Sequence, residues 1–288
     1  MENIVYSATA FTSLALLGVL VTALVTAVSL YWHKKTNAPL FPYLAGGATW
    51  LIFAIILKNI VQVPVLMAEP IKNSTVLFYL IGAAFAGIFE ETGRFVTFRT
   101  AMKKYDNRRS AITYGIGHGG FEAMFIILQT SITFIVLGIM VNTGNLDKIT
   151  ASMDEASKAA AMEQIALYSQ QTFFKDALAL IERVSAIVFH ISLSVLVFAS
   201  TRQPNYRWLY PLAVFLHFAM DFMALIYVKE IVSPIIYEII FTAATATIAV
   251  FTYRFYKTLP QEVGDIERCM ERNGRSDKAL YHDNASEA

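Results

Sequence analysis

Glu90, Glu91, Arg94, His118, Glu122, His190, His217 and Asp221 are ionisable side chains set inside long apolar runs. A charge at the centre of a bilayer costs roughly 2.5–3.5 kcal/mol on insertion scales, so such residues are rare and usually functional. Their types suit hydrolysis. A glutamate can take a proton from water, and imidazoles can hold Zn2+ through neutral nitrogens or stabilise an oxyanion. The spacing pairs them. Glu90 and Arg94 are four apart, Glu91 and Arg94 three apart, and His118/Glu122 and His217/Asp221 are again four apart. Each such pair shares a helix face and can present two polar heads to one cavity. Glu90 and Glu91 diverge by about 100° around a helix, so different tasks are expected of them.

Depth agrees as well as phase. Glu90 lies nine residues before Arg99, His118 seven after Ala111, His190 ten before Ser200 and His217 nine after Trp208. At helical rise these offsets correspond to about 10–15 Å from one membrane surface. Four helices thus deliver acids and imidazoles to one slab. His118, His190 and His217 with an acid provide three protein ligands and an open position for zinc. A metal-free arrangement, with histidine orienting water, uses the same residues.

The elements that must position this set follow from composition. Of 288 residues, 56% are hydrophobic and 16% charged, which excludes an ordinary soluble domain. Seven apolar spans are expected, over about 4–32, 42–67, 75–98, 111–141, 172–200, 208–228 and 233–256. The expected fold is an all-α polytopic helical bundle over residues 1–257, with its core site in 75–228. Lys34/Lys35, Arg99–Arg109, Arg202/Arg207 and Arg254/Lys257 fall in alternate loops, which places the N-terminus outside and the C-terminus in the cytoplasm. The start Met1-Glu2-Asn3 lacks a basic region, so the first helix is expected to be retained. Residues 142–171 form an extracytoplasmic connection with a short helix over about 152–168. Residues 258–288 form a polar tail holding the one cysteine, Cys269, which excludes an internal disulfide.

Other polar residues have plainer explanations. Lys58 fits a snorkelling or pairing residue, and Glu182/Arg183 a structural clamp. Trp32 and Trp208 sit where interfacial tryptophans belong.

The segments Phe89-Glu90-Glu91-Thr92-Gly93-Arg94, Gly115-Ile116-Gly117-His118-Gly119-Gly120-Phe121-Glu122, Glu182-Arg183 with His190, and His217-Phe218-Ala219-Met220-Asp221 resemble the YhfC family, grouped with intramembrane metalloproteases. More distantly the chain is similar to the prenyl-protein and bacteriocin-processing membrane proteases (CPBP). It departs from that broader pattern in the close Glu91–Arg94 spacing and in Ala186 at a usual phenylalanine position. The resemblance implies that Glu90 or Glu91 activates water, and that His190 and His217 complete the centre with Asp221 beside them.

The expectation is a multi-pass cell-membrane hydrolase acting on a membrane-associated protein or peptide, with no nucleic-acid partner. Glu90, Glu91, Arg94, Glu122 and Asp221 are its expected catalytic set, and His118, His190 and His217 its zinc ligands. Substrate access is expected from the cytoplasmic side or laterally. Two rivals use the same residues: a proton-coupled transporter, whose relays also need buried acids and histidines, and a non-catalytic protein on a protease-like scaffold.

Overall fold

Serine and threonine side chains start four of the long helices. In the computed structural model, which describes residues 4–262, Ser7 accepts from the Ala10 N–H, Ser74 from Leu77, Thr172 from Lys175 and Ser233 from Ile236. Each cap satisfies a backbone donor that the helix itself leaves unpaired. The helices are α1 Ala8–Thr36, α2 Phe41–Leu66, α3 Thr75–Arg99, α4 Arg109–Asn142, α5 Glu155–Ser169, α6 Phe173–Arg202, α7 Leu209–Phe222 and α8 Pro234–Thr258. A further turn of helix, Ala224–Val228, prolongs α7. No β-strand occurs among the described residues. The expectations placed on Met1–Asn3, on Cys269 and on the tail beyond Glu262 lie outside them.

Seven helices are long and apolar enough to cross a membrane, with Pro204–Val228 counted as one span. This is the all-α bundle the apolar runs implied. Its centre is α6: 83% of its most apolar window is buried, against 17–33% in the other six spans. α6 packs on α4 and α8, while α1 and the first half of α2 pack on α4, and α3 packs on α7. Val19, Leu44, Ile132, Phe215 and Ile239 point outward and stay exposed. Lipid tails are as apolar as these side chains, so a bilayer solvates that surface without penalty.

α2 is interrupted. Phe41–Trp50 is α-helical, Leu51–Leu57 is a π-helix, and Lys58–Leu66 is α-helical again. The first part lies so close to α4 that a Cβ on Gly46 would collide with the Tyr114 carbonyl. Beyond the wide π turns, α2 leaves α4 and packs chiefly on α3. π segments change the helical phase and are frequent at functional sites.

Arginines tie the loop ends. Arg202 donates to the Phe98 and Met102 carbonyls at 2.9 and 2.8 Å and pairs with Asp106 at 2.8 Å. Arg108 donates to the Tyr256 and Leu259 carbonyls. Such donors meet carbonyls that α3 and α8 cannot pair internally. At the other end α5 docks on α1 and α4: Tyr6 Oη donates to the Ile165 carbonyl at 3.0 Å, and the Phe134 and Tyr168 rings stack. Nearby, Ser13 on α1 hydrogen-bonds the buried Asp176 on α6.

Candidate active site

The third helix supplies the hub. Arg94 and Glu91 are fully buried, and Arg94 Nη1 donates to both Glu91 oxygens at 2.9 and 2.8 Å. His217 Nδ1 on α7 lies 2.7 Å from Glu91 Oε1, and Arg94 Nη2 lies 3.1 Å from His190 Nδ1 on α6. Both Glu91 oxygens are therefore committed. An ionised carboxylate only accepts and a guanidinium only donates. His217 thus carries a hydrogen on Nδ1, and His190 accepts on its own Nδ1.

Glu90 faces a different set, as the 100° divergence required. Its Oε2 lies 3.3 Å from His118 Nε2 and 3.8 Å from His217 Nε2, and its Oε1 lies 4.0 Å from Lys58 Nζ. His217 Nε2 is in turn 3.7 Å from Asp221 Oδ2. On α4, Glu122 brings Oε2 to 2.7 Å from His190 Nε2, and its Oε1 lies 3.9 Å from Arg183 Nη1. Arg183 is also held by Glu182. All eight residues singled out in the sequence meet in one assembly built from α3, α4, α6 and α7.

Small residues make that meeting possible. A Cβ on Gly119 would stand 2.9 Å from His190 Cβ, so only glycine lets α6 bring its imidazole this close to α4. A Cβ on Gly93 would meet the Phe53 ring at 2.5 Å, which seats the π segment of α2 beside Arg94. Close backbone approach through small residues is how membrane helices gain packing contact.

Glu90, His118, Glu122 and His190 can each offer a ligand atom within 4.8 Å of the others. His217 stands outside this group of four, tied to Glu91. The donor chemistry fits a metal at the four. Glu122 Oε2 lies 2.7 Å from His190 Nε2 and Glu90 Oε2 lies 3.3 Å from His118 Nε2, so two carboxylates face two imidazole nitrogens in one buried group. The Nδ1 of His118 is buried with no hydrogen-bond partner, so no contact there fixes the tautomer, and the form with its hydrogen on Nδ1 turns a bare Nε2 to the group. Two imidazoles and a carboxylate are a known donor set for catalytic zinc.

Beside the group lies a cavity of about 390 Å³. Glu122, His190, Asp221, Lys58 and Arg183 reach its wall, which continues past Gln62 to Leu66, Phe78 and Tyr79. It therefore extends toward the start of α3 and the end of α2. That end lies away from the loops holding Arg108 and Arg202, whereas access was expected from their side or laterally from lipid. Lys58 was read from sequence as a snorkelling or pairing residue; its ammonium is turned inward beside Glu90, with Nζ 4.0 Å from Oε1. Its signal was a charge in the middle of a span; the π phase that directs it inward was not visible. The Glu182–Arg183 pairing is the clamp the sequence suggested, and it also reaches Glu122.

Comparison with known proteins agrees with the residue pattern. Residues 17–242 match the model of a family described as YhfC intramembrane metalloprotease. The chain is 30% identical over 243 residues to the uncharacterized membrane protein YhfC of Bacillus subtilis (strain 168), covering 83% of this chain and 93% of that one. No solved structure matches.

Proposed function

The chain belongs to the YhfC intramembrane metalloprotease family, a multi-pass membrane protein with a buried Glu/His group, and we propose that it hydrolyses peptide bonds of membrane-associated substrates at that group. The observation that carries this reading is the meeting of Glu90, His118, Glu122 and His190 from three helices beside a cavity.

His118, His190 and Glu122 would hold the metal, with Zn2+ the ion their chemistry suits best. A metal there supplies a Lewis acid that polarises a carbonyl and makes water acidic near neutral pH. Glu90 is the base. Its neighbour Glu91 has both oxygens engaged by Arg94 and His217, whereas Glu90 has no aligned contact apart from His118 at 3.3 Å. Glu91 instead fixes the His217 ring with Nε2 turned to Glu90 and Asp221, at 3.8 and 3.7 Å. In the productive arrangement His217 carries the proton taken by Glu90 toward Asp221, which faces the cavity and can return it to the departing amine. Arg94 acts from behind, fixing Glu91 through both of its oxygens.

The test uses purified protein in nanodiscs with a pool of membrane-spanning peptides, read by mass spectrometry. Wild-type protein is expected to cut, and Glu90→Gln to lose about 10²–10⁴-fold in rate while keeping its unfolding midpoint, the usual contribution of a general base. Cleavage unchanged in Glu90→Gln removes Glu90 from the role. Absence of cleavage together with proton-coupled flux in sealed vesicles replaces the peptidase reading with transport.

A further inference from the structure

Lys58 has no place in the scheme above, yet it is the ammonium nearest the reacting groups. It lies within a membrane span, its side chain is only 19% exposed, and its Nζ stands 4.0 Å from Glu90 Oε1. That distance is too long for a hydrogen bond, which for such a pair is about 2.7–2.9 Å. Among the described residues Lys58 donates no side-chain hydrogen bond. It lines the cavity that Glu122, His190 and Asp221 also line, so its ammonium is open to a ligand there. Arg183, the other cation on that wall, is engaged by Glu182 and lies 3.9 Å from Glu122.

The backbone places Lys58 there. It is the first residue after the π segment, and its own N–H bonds back to the Phe53 carbonyl. Gln62, one turn further along α2, also lines the cavity, and its Oε1 is buried with no partner. The inward face of α2 thus offers a charged donor and an unused acceptor at i, i+4 spacing. A buried polar group without a partner is costly, so such a face is suited to a ligand that supplies the missing partners. A peptide unit has both: a carbonyl oxygen for Lys58 and an N–H for Gln62.

We propose that Lys58 touches substrate, donating to the scissile carbonyl oxygen as it becomes an oxyanion. This rests on the peptidase reading. When the oxygen of water bonds to the carbonyl carbon, the carbonyl π pair moves onto oxygen and the water proton passes to Glu90. The C–N bond then breaks, the oxyanion pair re-forms the carbonyl, and the departing nitrogen takes a proton. Charge on the oxygen exists only between these events, so the contact with Lys58 strengthens in the transition state.

The test compares two analogues of a peptide that the wild-type protein cleaves: a phosphinate, whose tetrahedral P–O⁻ mimics the oxyanion, and a neutral ketomethylene isostere. Lys58→Met is expected to weaken phosphinate binding about 10²-fold or more, as for loss of an oxyanion donor. Ketomethylene binding should change less than threefold. Lys58→Arg, which keeps the charge, should recover at least tenfold of the phosphinate affinity. Equal loss for both analogues, or none for either, overturns the role of Lys58 while the peptidase reading stands. Wild-type protein that cleaves nothing and binds neither analogue overturns both.

Discussion

Arg94 Nη2 lies 3.1 Å from His190 Nδ1 while Nη1 of the same guanidinium holds both oxygens of Glu91. One buried cation thus sets an acid on its own helix and an imidazole on α6. Because the guanidinium cannot accept, the neutral His190 carries its hydrogen on Nε2 here, the nitrogen beside Glu122; a metal bound at Nε2 would shift that hydrogen to Nδ1 and release the Arg94 contact.

Removing Arg94 should therefore cost stability as well as activity. Arg94→Met leaves Glu91 charged in the bundle interior with only the His217 ring to hold it, and breaking a buried pair in this way costs about 3–5 kcal/mol. The double variant Arg94→Met/Glu91→Gln removes the orphan charge and should regain at least half of that loss. Unfolding midpoints of wild type, both single variants and the double variant complete the cycle. Additive losses would show that the contact carries no coupling.

Metal content should separate the histidines. Wild-type protein is expected to bind about one equivalent, with His118→Ala and His190→Ala losing most of it. His217→Ala should keep the metal but lose cleavage, since its ring is tied to Glu91 and stands outside the group of four. Elemental analysis with parallel cleavage assays gives the answer, and metal loss in His217→Ala would move that residue into the ligand set. Chelation should also lower thermal stability, by about 2.7 kcal/mol for a site filled at a hundredfold excess over Kd.

Gly119 holds α4 against His190. Gly119→Val adds a branched side chain where even a Cβ would stand 2.9 Å from His190 Cβ. Overpacking of this kind costs about 1–3 kcal/mol, and here it would also displace the imidazole. Metal affinity should fall more steeply than in Gly82→Val, because a Cβ at Gly82 meets nothing within 4 Å. Equal effects of the two changes would remove the packing argument.

The docked helix α5 should respond to acid. The Ser157 N–H and hydroxyl both donate to Asp154 and hold its carboxyl below the ordinary aspartate range. A group depressed in the folded state contributes fully above its unfolded pKa and loses that contribution as pH falls through the folded value. Protection of the Ser157 amide against hydrogen exchange, corrected for intrinsic rate, should hold at neutral pH and fall below the normal carboxylate range. Asp154→Asn should keep the cap and flatten this dependence, since an amide oxygen also accepts.

Much of the bundle was readable because hydrocarbon imposes simple rules. A run such as Phe173–Arg202 must be helical to pair its own backbone groups, and its length is set by the membrane. The glutamate pair could be resolved part way. Adjacent helix positions diverge, so Glu90 and Glu91 had to differ, but which one lies under Arg94 depends on how α3 is rotated against α6 and α7. His217 shows the same limit: its depth matched the other histidines, and only the Glu91 contact set it apart from the group of four. Whether Lys58 snorkels or pairs could not be read, because the π segment shifts the phase of α2 and i→i+5 bonding has no mark in a run such as Leu-Ile-Phe-Ala-Ile-Ile-Leu.

What the sequence determined by itself was the number of spans, the depth of the polar residues and the faces they share, because helix rise and periodicity are properties of the local chain. Only the tertiary structure decided which imidazole meets which carboxylate and on which side the cavity lies. Those outcomes depend on rotations and close approaches between helices, set at contacts such as Gly119 against His190 and Gly93 against Phe53, where one methyl group changes what can fit.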